Sequence, residues 1–252
     1  IQLENNILQF IFKPLIIPVV IGYFDSQIND ITKGFNKWIV AALIFSWIGD
    51  VLLMFQDKKD IFFLLGLSAF LLAHVFYVIY FHKVRLRDNV KSNPWLLVIV
   101  VVYYAALISF LSPYLGDMKV PVRIYGIVIS FMFMLAMHML FIRNKSAGKW
   151  MMIGALLFVL SDSLLALNKF YQSFEFASVA IILAYALAQF VIVKGAVDYF
   201  ISASKELLCF DKHPRLGGSN LMKHFALVNW GGLLSSERNV QECDTTDDAM
   251  KN

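Results

Sequence analysis

The chain has 252 residues, 59% of them apolar and only 16% charged, with a formal net charge of +4. Soluble domains carry about 25% charged residues, and a mean hydropathy of +0.67 excludes an ordinary water-soluble globule. The small basic excess, with no basic stretch interleaved with aromatics, gives no footprint for nucleic acid. Cys209 and Cys243 both lie in the polar C-terminal stretch and form neither a disulfide framework nor a CxxC metal pattern.

Seven apolar segments follow in order, at about 7–24, 37–55, 61–81, 94–112, 120–142, 149–167 and 174–201. Runs of roughly 20 apolar residues cross a hydrocarbon core of about 30 Å as helices. The loops between them are short and polar, such as "QDKKD" and "RNKSAGK", and no period-two alternation suggests a barrel. Only helices satisfy every backbone polar group inside their own segment, so the expected fold is an all-α polytopic transmembrane helix bundle. The expected organisation is a helical domain over 1–201 and a polar, partly disordered tail over 202–252. No basic region precedes the first segment, which therefore does not read as a signal peptide.

Loop cations set the expected orientation. One side collects Lys33, Lys37, Lys83, Arg85, Arg87, Lys91, Arg143, Lys145 and Lys149; the other collects Lys58, Lys59, Lys119, Arg123 and Lys169. The richer side is expected to be cytoplasmic, with the C-terminus inside.

Two aspartates stand out. Asp50 sits in "WIGDVLLMF" and Asp162 in "VLSDSLLAL". A carboxylate inside a membrane helix costs at least about 2.5–3.5 kcal/mol, so it faces the bundle interior and finds a partner there. Their segments run in the same direction, and each aspartate lies five residues before its segment ends. That places both about 7–8 Å below the outer surface. Lys13, six residues into the first segment, falls in the same layer, unless its long stem carries the ammonium out to the headgroups. Two carboxylates with one candidate cation imply that one is held protonated, the arrangement that separates an acid from a base.

The two segments also resemble each other at an offset of 111–112 residues, which sets "LLAHVFYVIYF" opposite "ILAYALAQFVI" and His74 opposite Tyr185. A duplicated unit would hold four helices in parallel repeat. It leaves the fourth segment unmatched and leads to the expectation of an eighth helix ahead of Ile1. His74 and Tyr77 share one helical face, as do Tyr185 and Gln189; they line a polar cavity or form interhelical hydrogen bonds. His138, near Arg143, reads as interfacial. No three or four convergent ligands announce a metal, no GxSxG elbow announces a serine hydrolase, and no cofactor is expected.

The motifs "FKPL", "GDVLL", "AHVFY" and "GALLFVLSDSLLALNKF", in this order, resemble the YhhN family of integral membrane proteins, which includes the mammalian lysoplasmalogenases. The resemblance runs through all seven segments and implies a bundle of eight helices. Its aspartates fall on Asp50 and Asp162, its lysine-proline pair on Lys13 and Pro14, and its histidine and serine-aspartate positions on His74 and Ser161. Asn168, in the same motif as Asp162, joins Lys13, His74, Tyr77, Ser161, Tyr185 and Gln189 as a supporting residue. The implied activity is hydrolysis of the vinyl ether of a lysoplasmalogen, a lysophospholipid, to a fatty aldehyde and a glycerophospho head group. The alternative is a small transporter or lipid-binding membrane protein. A bacterial inner membrane is the favoured location and the endoplasmic reticulum the alternative.

Overall fold

The computed structural model describes the backbone of residues 2–27, 33–56 and 58–212, and the side chains of 13–27, 37–56, 58–59 and 61–205. The expected polar tail beyond 212 lies outside the described residues. Among the described residues seven α-helices follow in order: α1 (Gln2–Gln27), α2 (Lys33–Leu53), α3 (Asp60–Arg87), α4 (Pro94–Leu111), α5 (Lys119–His138), α6 (Lys145–Ala166) and α7 (Ala177–Lys212). Among the described residues there is no strand. Five of these helices, α3 to α7, are long and apolar enough to cross a membrane, and α1 and α2 pack with them. The protein is an integral membrane protein.

Sequence chemistry sets the helix ends. Asn93 accepts from Trp95 N–H at 3.1 Å with Pro94 at the first helical position, and Asn144 accepts from Ala147 N–H at 3.0 Å. Both are N-caps that satisfy otherwise orphaned donors. α3 stops where Asn89 takes φ +53°, a left-handed conformation that asparagine tolerates. Past Ala166, α6 runs on as a π-turn, Leu167–Tyr171.

The most extensive packing joins α2 to α3 and α6 to α7. In the second pair the backbones nearly touch. A Cβ on Gly154 would lie 2.7 Å from the Ile192 nitrogen, and one on Gly195 would lie 2.8 Å from the Ala147 carbonyl oxygen. Small residues at crossings are how membrane helices gain packing without a hydrophobic driving force. α1 packs on α2 and α7, and α5 packs on α6 and α3. The 112-residue offset read from the sequence thus recurs in space, with α1, α2 and α3 standing to one another and to α7 as α5, α6 and α7 stand to one another and to α3. α4 lies at the margin against α5.

α1 carries Pro14 and Pro18 inside the helix. Pro18 has no N–H to give the Pro14 carbonyl four residues back. The Trp47 indole of α2 donates to that carbonyl instead, at 2.9 Å, which ties α1 to α2 one residue from Lys13.

Candidate active site

Asp50 comes from α2, three residues before its end, and is 1% exposed. Tyr185 of α7 donates its hydroxyl to Asp50 Oδ2 at 2.7 Å, and Lys13 Nζ of α1 stands 3.9 Å from Oδ1. Oδ1 accepts no hydrogen bond from a described residue. Its described polar partners are thus a hydroxyl donor and a cation.

Asp162 comes from α6 and is somewhat more open, its side chain 14% exposed. Tyr125 of α5 donates to Oδ2 in a short hydrogen bond, and His74 Nε2 of α3 lies 3.7 Å from the same oxygen. His74 is fully buried, and its Nδ1 sits 2.6 Å from the Phe70 carbonyl oxygen. A carbonyl only accepts, so Nδ1 carries the hydrogen there. The neutral ring then turns its Nε2 lone pair toward Asp162, at a distance beyond direct hydrogen bonding.

The two carboxylate arms meet around one ring. Phe158 of α6 lies 4.7 Å, centroid to centroid, from His74 and 5.6 Å from Tyr185. It therefore contacts one partner of each aspartate. Below it, Tyr77 donates to Gln189 Oε1 at 2.5 Å, and Gln189 Nε2 donates to Ser46 Oγ at 3.0 Å. This buried chain bolts α2, α3 and α7 together under the site.

The offset is legible here too. Lys13 and Tyr125 are 112 residues apart, as are Asp50 and Asp162, and His74 and Tyr185 are 111 apart. Each aspartate takes one partner from the preceding helix of its own half and one from the third helix of the other half.

Several expectations need adjustment. Asp50 lies three residues and Asp162 four residues before the ends of their helices, and His74 sits 14 residues into the 28-residue α3. Ser161 Oγ donates to the Ile181 carbonyl at 3.0 Å, so it joins α6 to α7 and turns away from the carboxylates. Asn168 lies in the π-turn with no side-chain hydrogen bond to a described residue. His138, the last residue of α5, is buried, 1% exposed; its Nε2 accepts from Asn93 N–H at 3.1 Å and its Nδ1 faces the Met134 carbonyl. It secures the start of α4.

Sequence reasoning missed Tyr125, Ser46 and Trp47. The repeat would have found Tyr125, which occupies the position equivalent to Lys13. The Pro14–Pro18 spacing announces a carbonyl in need of a donor, which Trp47 supplies. Ser46 carries no sequence signal. Among the described residues no three His, Cys, Asp or Glu side chains converge as metal ligands would.

An all-helical membrane bundle with two buried carboxylates, each held by a tyrosine and a basic side chain, defines the class. A sequence profile of the YhhN family matches residues 8–196, and the chain belongs to that family. It is 32% identical over 168 residues to human "Lysoplasmalogenase TMEM86B", covering 65% of each chain. It is 31% identical over 163 residues to the "Lysoplasmalogenase" of Mycobacterium bovis, covering 64% of this chain and 60% of that one. Over 181 residues it is 31% identical to bovine "Lysoplasmalogenase TMEM86A", covering 66% and 71%. The chain spans just under two thirds of the length of the first two relatives. No solved structure matches it.

Proposed function

We propose that the protein is a membrane-embedded hydrolase that cleaves the vinyl ether of a lysoplasmalogen, with Asp162 as the general acid and Asp50 as the anion and base. The observation that carries this reading is the unequal pair of carboxylates gathered around Phe158: one beside a lysine, one beside a histidine lone pair. The names of the relatives supply the substrate class.

The chemistry asks for three things. A proton is delivered to the carbon β to the ether oxygen, which leaves an oxocarbenium ion. Water adds to that cation and loses a proton, giving a hemiacetal. The hemiacetal collapses to an aldehyde as the glycerol oxygen leaves with a proton. The Asp162–His74 pair holds the first proton. Asp50, kept ionised by Lys13 and the Tyr185 hydroxyl, stabilises the cation and accepts the proton of the attacking water. It returns that proton to the glycerol oxygen while Asp162 recovers one from the hemiacetal hydroxyl. The net reaction consumes one water and restores both carboxyl groups. The division of labour parallels the acid and base of a glycosidase.

His74 and Tyr125 act as positioning residues for the acid, and Lys13 and Tyr185 for the base. Tyr77, Gln189 and Ser46 hold the helices that carry them. The excess of loop cations favours a cytoplasmic C-terminus and a site reached from the opposite face. Purified protein in detergent or liposomes is expected to release fatty aldehyde from a 1-alkenyl lysophospholipid and none from its saturated 1-alkyl analogue, which has no double bond to protonate. Folded protein that releases no aldehyde from any 1-alkenyl lysophospholipid overturns the reading.

A further inference from the structure

The π-turn that ends α6 shapes a cavity. Gln172 N–H donates to the Leu167 carbonyl at 3.0 Å and fixes the wider loop; such turns interrupt α-helices mostly at functional sites. Between this turn and α4 lies a cavity of about 740 Å³, within the range of ligand pockets, roughly 300–1,000 Å³. Tyr103 and Phe110 of α4, Leu167 and Tyr171 of the π-turn, and Gln172 and Phe174 beyond it are among its walls. None of the described residues that line it is charged.

The inner end of the cavity is tied to the acid. Tyr103 is in the wall, and its hydroxyl sits 2.5 Å from Ser163 Oγ. Ser163 gives its own hydrogen to the Val159 carbonyl at 2.6 Å, so Tyr103 is the donor and Ser163 the acceptor. Ser163 follows Asp162 in the chain, and Tyr103 stands within reach of the Asp162 charge. The span that carries Asp162 also forms part of the wall, since it continues from Ala166 into Leu167 and Tyr171. The outer end is a corner of aromatic faces. Phe110 and Tyr171 meet at 62° with centroids 4.9 Å apart, and Tyr114 stands against Tyr171 at 73° and 5.1 Å. Phe110 and Tyr171 are both half-exposed. Seven residues of α4, about 10 Å of helix, separate Tyr103 from Phe110, close to the extended length of a glycerophosphocholine.

We propose that this cavity seats the head group of the single-chain lipid and that its aromatic corner receives a quaternary ammonium. The identity of that lipid rests on the proposed hydrolase reading. The glycerol then lies beside Tyr103, and the vinyl ether next to Asp162. Aromatic faces hold quaternary ammonium groups through cation–π attraction. A primary ammonium is strongly hydrated and pairs best with a carboxylate, which the described walls do not offer. Interfacial aromatics that only anchor a protein in the membrane would treat both head groups alike.

Phe110→Leu and Tyr171→Leu each remove one π-face from a half-exposed position, and either serves if the other fails to fold. The full chain in maltoside micelles is assayed with two 1-alkenyl lysophospholipids that share one hydrocarbon chain and carry choline or ethanolamine. Wild type is expected to favour choline in kcat/KM. Each variant is expected to raise KM for the choline substrate roughly two- to fivefold, the worth of one exposed cation–π contact, and to shrink the preference. A binding arm works without turnover. The saturated 1-alkyl lysophosphocholine is expected to bind wild type more tightly than its ethanolamine counterpart, and the variants are expected to narrow that difference.

Wild type without a choline preference overturns the inference. So does an equal loss for both head groups in the variants, which makes the rings membrane anchors, and so does a preference that survives both substitutions. Preferential binding of the choline analogue by a protein that releases no aldehyde leaves the inference standing and removes the hydrolase reading instead. Aldehyde release without a head-group preference does the reverse.

Discussion

Replacing each aspartate by asparagine separates the two roles, because the amide fits one setting and not the other. In Asp162→Asn the side-chain oxygen still accepts from Tyr125. That hydrogen bond survives, so the melting temperature should stay near wild type, while the transferable proton is gone. General acid catalysis contributes about 10²- to 10⁴-fold, or roughly 3–5 kcal/mol of barrier, and aldehyde release should fall by that factor. In Asp50→Asn the amide faces the Lys13 ammonium, which loses its counter-charge. Unit charges 3.9 Å apart attract by about 4 kcal/mol at an effective dielectric of 20. Desolvation of the pair takes back much of that, and Lys13 is 20% exposed, which leaves a net loss of about 1–3 kcal/mol. Asp50→Asn should therefore lose both activity and thermal stability. The double variant Lys13→Gln/Asp50→Asn should regain stability without activity. Thermal unfolding in detergent micelles, beside an aldehyde assay at saturating substrate, reads both quantities. Asp162→Asn retaining more than about a tenth of wild-type turnover, or a double variant no more stable than Asp50→Asn, would refute this reasoning.

Other substitutions test the frame around the site. A Cβ on Gly148 would lie 2.0 Å from the Met139 carbonyl oxygen, a backbone atom that cannot swing away; Gly148→Ala should cost about 1–3 kcal/mol, read as a lowered melting temperature. Trp47→Phe strands the Pro14 carbonyl and should cost about 1 kcal/mol, with a fall in turnover if α1 then lets Lys13 drift from Asp50. Tyr77→Phe removes one interhelical hydrogen bond and should cost about 0.6 kcal/mol with turnover largely kept. Ser161→Ala should leave turnover near wild type, because its hydroxyl is engaged with the Ile181 carbonyl; a large loss there would place it in the chemistry.

The helices were legible because lipid leaves the backbone no alternative, and the aspartates because a buried carboxylate is too costly to keep without purpose. Lys13 was found by layer, and Tyr77, Tyr185 and Gln189 by helical face. The limits have physical causes as well. Ser161 and Asn168 share a motif with Asp162, yet helical geometry turns the first toward α7, and the π-turn carries the second beyond the carboxylates. Tyr125 reads as one more aromatic in a greasy helix until its offset from Lys13 is noticed. Trp47 reads as a lipid-facing indole until the prolines of α1 are counted.

The exchange of partners between the halves has a consequence for how such a site came to be asymmetric. Neither half can furnish a complete carboxylate environment, because each borrows a side chain from the other's third helix. Two identical copies docked about an axis would give both aspartates the same set of neighbours. Joining the copies in one polypeptide removes that constraint: one position is free to become lysine while its counterpart becomes tyrosine, and a tyrosine on one side can answer a histidine on the other. The different neighbours of Asp50 and Asp162 follow from the differing side chains at these equivalent positions.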